Sequence, residues 1–134
     1  MASIFSKIIT GDIPSYKIAE NDRYYAFLDI NPLSKGHTLV IPKQEVDYIF
    51  DVDDYTLGGL MVFAKKVANA IEQVVPCKRI GVAVIGLEVP HAHIHLVPIN
   101  GIHDIDFSKP KVKMQQEEFI ALAKTISEAV ELHS

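Results

Sequence analysis

The run His91-Ala92-His93-Ile94-His95-Leu96-Val97-Pro98 constrains this chain more than any other stretch. Polar and apolar residues alternate through it, which is the period of a strand with one buried face. Side chains at i, i+2 and i+4 of a strand point the same way. The pattern predicts a strand from His91 to Pro98, with Ala92, Ile94 and Leu96 packed on a core helix and three imidazoles on the opposite face. Successive same-side residues are about 7 Å apart, too far for ring contact in every pair but close enough to surround one phosphate-sized group. Imidazole titrates near neutral pH, so such a set can attack, donate a proton and stabilise negative charge without metal help. His93 has a histidine on either side and is best placed to attack phosphorus through one ring nitrogen while an acceptor holds the other. Covalent catalysis of this kind divides one difficult displacement into two easier ones. The flanking rings then steady the phosphoryl oxygens and protonate the leaving group. His37 opens another expected strand and is placed to lie alongside.

Two blander readings compete. A single histidine on a strand is usually a polar surface residue, and His103 and His133 read that way. Strict alternation with apolar residues between makes this a poor account of the other three. A metal site is the stronger rival, because two histidines at i and i+2 on a strand can ligate zinc. Glu88, His103 and Asp104 are available as further ligands.

The rest of the chain reads as an α+β domain with an antiparallel sheet. Ser3 can cap a short helix in which Ile4, Phe5, Ile8 and Ile9 line one side, and Gly11 ends it. Tyr16 to Ala19 and Tyr24 to Leu28 read as strands around the turn Glu20-Asn21-Asp22, and His37 to Ile41 as a third, stopped by Pro42. The clearest helix begins near Asp53. Leu57, Leu60, Met61, Ala64, Val67, Ala68, Ile71 and Val74 form its apolar stripe, and Pro76 closes it. Arg79 to Ile85 is a fourth strand. A last amphipathic helix from about Gln115 buries Phe119, Leu122, Ala123, Ile126 and Val130.

Composition narrows the function classes. The chain has 134 residues, 49% hydrophobic and 22% charged, which fits one globular domain with a single core. A net charge of -4 offers no broad basic face, so no nucleic-acid partner is expected. The one basic cluster, Lys109-Pro110-Lys111-Val112-Lys113, reads as a solvated loop. No apolar run approaches the roughly 18 residues that span a bilayer, so no membrane partner is expected either. The start lacks the pattern of a secretory signal, since Ser6 and Lys7 break Ile4 to Ile9. The only cysteine, Cys77, excludes an internal disulfide, suits a reducing cytoplasm and reads as a free buried thiol.

The triad satisfies His-φ-His-φ-His-φ-φ, with φ apolar, and so resembles the signature of the histidine-triad (HIT) superfamily. The likeness extends over Ile4-Phe5-Ser6-Lys7-Ile8-Ile9, Ile13-Pro14, Ala26-Phe27-Leu28-Asp29-Ile30-Asn31-Pro32 and Gly36-His37-Thr38-Leu39-Val40-Ile41-Pro42-Lys43. These segments are similar to the Hint branch, the purine-nucleoside phosphoramidases, and roughly residues 3 to 98 are covered. The resemblance implies a HIT-like fold: a five-stranded antiparallel sheet, one long central helix, and N- and C-terminal helices. It implies one HIT domain over 1–134, with a core over 1–110 and a C-terminal amphipathic helix over 111–134. It also implies a symmetric homodimer and AMP- or GMP-like substrates cleaved at the α-phosphate through a nucleotidyl-histidine on His93. Phe5, Ile8, Phe27, Ile30 and Leu39 match positions that wall the base and ribose pocket, and Asp29 matches the carboxylate that accepts both ribose hydroxyls. His37, His91 and His95 match the supporting histidines.

Three departures from the family pattern stand out. Many bacterial relatives bind structural zinc through a Cys-x-x-Cys and a later histidine; those positions are Ser3, Ser6 and Glu45, so neither zinc nor any other cofactor is expected. The loop before the triad is shortened and carries Leu87 where the family often has Gln. Glu88 stands where a Ser or Thr often contacts phosphate, and a carboxylate there repels it. The expected activity is a metal-independent nucleoside phosphoramidase. The alternatives are a nucleotide-binding or interaction module that turns over weakly, and a dinucleoside polyphosphate hydrolase.

Overall fold

The Ser3 hydroxyl accepts the Ser6 N–H at 3.0 Å and so caps the first helix, α1 (Ile4–Ile9). The structure, a computed structural model, describes residues 2–132, and His133 lies outside them. Gly11 takes φ +87°, a left-handed conformation natural to glycine, and turns the chain away from the helix. Then come β1 (Lys17–Glu20), β2 (Tyr24–Leu28) and β3 (Thr38–Pro42). A short 3₁₀ turn, Ile49–Asp51, leads to α2 (Asp54–Val74), whose cap is Asp53 accepting the Thr56 N–H at 2.9 Å. β4 (Arg79–Ala83), β5 (Ile94–Ile99), a second 3₁₀ turn, Ile102–Asp104, and α3 (Gln116–Leu132) complete the order. Among the described residues, no helix is long and apolar enough to cross a membrane.

The five strands form one antiparallel sheet in the order β1-β2-β3-β5-β4. Every residue of β2 and β3 is buried, because the sheet is covered on both sides. The period-two alternation divides them cleanly. Tyr24, Ala26, Leu28 and Val40 face α2 and α3 in the main core, together with Ile94 and Leu96 of β5. Tyr25, Phe27, Leu39 and Ile41 face the other way and pack with Phe5 and Ile8 of α1. A fully buried Leu, Ile or Phe in such a layer contributes about 1.5–3 kcal/mol.

The expected α+β architecture, with five strands and three helices, is present, and several boundaries move. β1 begins one residue later than expected, β3 runs one residue further and takes in Pro42, and β4 ends at Ala83 rather than Ile85. The larger correction concerns the triad, since β5 begins at Ile94 and His91 to His93 precede it. The Ala92 N–H bonds to the Val46 carbonyl at 2.7 Å instead of to a neighbouring strand, so a loop holds this stretch. On α2, Met61 is exposed and Leu57 half-buried, whereas Phe63 and Ala70 are buried. The helix packs on the sheet and on α3 together, so its buried face is wider and rotated from the single stripe expected. On α3, Ala129 takes the buried place expected of Val130. Cys77 is free and half-buried rather than buried.

Candidate active site

A chain of hydrogen bonds fixes how each histidine carries its proton. The Leu33 N–H donates to His37 Nδ1 at 2.9 Å, so that nitrogen is bare and His37 Nε2 bears the hydrogen. His37 Nε2 donates in turn to His95 Nδ1 at 3.0 Å. His95 therefore holds its own hydrogen on Nε2. Burial drives the pKa of His37 from 6.5 to about 3, helped by the nearby His95 and Lys111. Burial and the neighbouring His93 lower that of His95 to about 4. Both rings are neutral at pH 7, so the 3.6 Å approach of Asp29 to His37 is not an ion pair.

His93 is held from the other side. Its Nδ1 lies 2.8 Å from the His91 carbonyl, which can only accept, so Nδ1 carries the hydrogen and Nε2 the free lone pair. Among the described residues no fully buried polar side-chain atom lacks a partner. His93 Nε2 has none from the protein, so it reaches the cavity. The edge of Phe5 packs on the ring, centroids 5.0 Å apart at 89°.

His91 is placed differently from the expectation of three rings sharing one face. It is fully buried, its Nε2 donates to the Pro42 carbonyl at 2.8 Å, and its Nδ1 meets the Ser3 hydroxyl at 2.8 Å. The Glu45 carboxylate accepts from the Ser3 N–H and from the Ser6 hydroxyl, each at 2.6 Å. Those two bonds hold the Glu45 pKa at about 2. Ser3, Ser6 and Glu45 thus form a hydrogen-bonded cluster behind His91. His91 orients the His93 ring through its carbonyl and does not line the cavity.

The cavity itself measures about 400 Å³, within the range that small-molecule sites occupy. Phe5, Ile8, Phe27, Asp29, Ile30, Leu39 and Glu88, all expected from the sequence, line it together with His93 and His95. His37 and His91 stand behind that wall. Ile30 is 65% exposed, so it is a rim residue and not core. Asp29 follows β2 directly, and its Oδ1 accepts the Asn31 N–H at 2.8 Å. Burial raises its pKa above the usual carboxylate value, against the pull of that amide. Sequence reasoning missed Phe107, whose ring lies 4.7 Å from His95. It comes from the irregular segment before α3, where no periodic pattern flags a wall residue. The Lys111 ammonium in the same segment is tied to the Phe107 and Lys109 carbonyls.

Glu88, His103 and Asp104 do not gather with the triad; Asp104 instead accepts from the backbone N–H groups of Asn100 and Gly101. Among the described residues, the one group with metal-ligating spacing is Asp29, His37 and His95. Its two histidines already bond each other, and His37 also accepts from Leu33.

The neutral pair gives a pH prediction. Below pH 6.5 unfolded histidine binds a proton that folded His37 and His95 refuse until about pH 3 and 4. The unfolded state then holds more protons, so stability falls as pH falls, by about 1.4 kcal/mol per pH unit for each ring. Glu45 adds to the loss between pH 4.5 and about 2, and Asp29, with its raised pKa, opposes it. Urea unfolding at pH 7 and pH 5 is expected to show a loss of several kcal/mol; equal midpoints would contradict neutral buried imidazoles.

A five-stranded antiparallel sheet with a cavity of about 400 Å³ over it, lined by His93 with a free ring nitrogen and by His95 with a ring N–H, defines a protein of the histidine-triad type. A family model, described as the HIT domain, matches residues 10–102, and the chain belongs to the HIT family. It is 36% identical to the adenosine 5'-monophosphoramidase of Schizosaccharomyces pombe over 133 residues, 97% of this chain and 99% of that protein. It is also 36% identical to an uncharacterized HIT-like protein of Borreliella burgdorferi, covering 92% of this chain and 95% of that one. A crystal structure of a Bartonella henselae HIT-like protein matches with TM-score 0.82 at 32% identity, covering 95% of each chain. A zinc-bound HIT family protein from Mycobacterium smegmatis matches with TM-score 0.82 at 25% identity, over 100% of this chain and 99% of that one.

Proposed function

We propose that the chain is a nucleotide hydrolase that cleaves purine nucleoside 5'-phosphoramidates at the α-phosphate through a nucleotidyl-histidine on His93. The observation that carries this reading is the tautomer of His93: a lone pair on Nε2 facing a cavity of nucleotide size. Phe5, Ile8, Phe27, Ile30 and Leu39 grip base and ribose, and Asp29 accepts the ribose hydroxyls. The Nε2–H of His95, oriented through His37, donates to a phosphoryl oxygen as charge builds there. His93 Nε2 attacks phosphorus, the P–N bond breaks, and the amine leaves with a proton from solvent. Water then cleaves the nucleotidyl-histidine, releasing the nucleoside monophosphate and restoring His93. The full-length likeness to an adenosine 5'-monophosphoramidase supports the substrate class.

No step calls on a metal, a cofactor or a nucleic acid. Hydrolysis of adenosine 5'-phosphoramidate with and without EDTA tests this. Turnover that survives the chelator supports the covalent-histidine reading. Turnover abolished by EDTA and restored by zinc moves it to a metal site, and AMP binding without turnover makes the chain a binding module.

We read residues 1–134 as one HIT domain that works in the cytoplasm, with α3 part of its core. We also read it as a homodimer. Among the described residues β4 is an unpaired sheet edge, and its Val82, Ile85 just beyond it, and Met61 and Val62 on α2 are all at least half exposed. Light scattering is expected to give twice the chain mass, and Val82→Lys to shift it toward one; a monomeric wild type would rule the dimer out.

A further inference from the structure

The nucleotide cavity has an unusual charge balance. Among the described residues two carboxylates line it, Asp29 and Glu88, and no lysine or arginine does. The Lys111 ammonium, whose field reaches Asp29, is occupied by two carbonyls. Asp29 has its amide partner and, in the reading above, the ribose. Glu88 is exposed and has no hydrogen-bond or ion-pair partner among the described residues.

The chain fixes where this carboxylate stands. The His91 N–H bonds the Val89 carbonyl at 2.8 Å, a tight turn that ties the loop carrying Glu88 to the start of the triad. Gly86 to Val89 line the cavity beside His93 and His95. Glu88 thus shares one cavity with His93 and His95, and its charge is felt at Asp29. A carboxylate there opposes any phosphate equally, whatever is attached to it. What it can discriminate is the charge of the group departing from phosphorus.

We propose that Glu88 is a specificity-determining residue that selects leaving amines bearing a second, positive charge. The substrate class is a nucleoside 5'-phosphoramidate whose amine carries an ammonium or guanidinium at its far end. The proposal rests on the phosphoramidase reading, and the reaction is unchanged: His93 displaces the amine, the P–N bond breaks, and water releases the nucleotide. An ammonium a few ångströms from Glu88 is attracted, and a carboxylate in its place is repelled.

Three adenosine 5'-phosphoramidates of matched length test this: those of butylamine, 1,4-diaminobutane and 4-aminobutyrate. At low ionic strength wild type is expected to prefer the cationic over the anionic amide by about tenfold in kcat/KM, with the neutral one between, and added salt to shrink the ratio. Glu88→Gln should bring the ratio toward one and Glu88→Lys should invert it. Glu88 is on an exposed loop, so both variants are expected to fold. A wild-type ratio near one, or a ratio that Glu88→Gln leaves unchanged, overturns the proposal while butylamide turnover still upholds the phosphoramidase reading. Cleavage of none of the three amides overturns both.

Discussion

Replacing His93 with alanine is expected to lower kcat for adenosine 5'-phosphoramidate by about a thousandfold or more, because no other group can take its place. His91 has both ring nitrogens bonded to protein and no exposed surface. His37 stands behind the cavity wall. His95 offers a hydrogen and not a lone pair, because His37 already donates to its Nδ1. AMP affinity should survive, since Asp29 and the apolar walls are untouched and the lost contact with Phe5 is a single ring edge. Stopped-flow or discontinuous kinetics with parallel AMP titrations check both parts. A variant that retains a tenth of wild-type kcat would contradict His93 as the nucleophile.

The second large effect lies in the core. Leu96→Ala is expected to destabilise the protein by about 2–5 kcal/mol, the range for a buried leucine truncated where the surroundings cannot collapse. Leu96 is 1% exposed and belongs to β5, which pairs with β3 on one side and β4 on the other. It lies opposite Thr38 and Val82 and reaches the main core beneath α2. Two paired strands and a 21-residue helix leave little room to close the void. Thermal unfolding should drop by about 10 °C. A change of less than about 0.5 kcal/mol would mean that this site relaxes freely, against the close packing described.

The same residue shows how far a sequence reading reaches. Alternation from Ala92 to Leu96 predicted which side chains enter the core, and Ile94 and Leu96 do. It misjudged where the strand starts, because a ladder depends on what lies alongside. β3 pairs with β5 only as far as Val40 opposite Ile94, and the loop at Val46 takes over from there. The caps Ser3 and Asp53 were legible because capping is local, a side chain and an amide three residues on. The helix stripes were only partly legible, since Phe63 and Ala70 are buried by the joint packing of α2 on sheet and α3.

The site divides in the same way. The resemblance named Phe5, Ile8, Phe27, Asp29, Ile30 and Leu39 for the pocket and marked Glu88 as a departure from it, and all seven line the cavity. What sequence could not show is the orientation of His91. Its partner Ser3 is 88 positions away and Glu45 is 42 from Ser3, separations no periodicity spans. Nor could it show the order of donation from Leu33 through His37 to His95, which depends on angles and distances.

The measurement that bears most directly on this account is to trap the intermediate. Wild-type protein mixed with adenosine 5'-phosphoramidate, quenched within one turnover, digested and sequenced by mass spectrometry, should carry one adenylyl group on His93. An adduct on His95, His91 or His37, or product formation with no histidine modified at any time point, would contradict it.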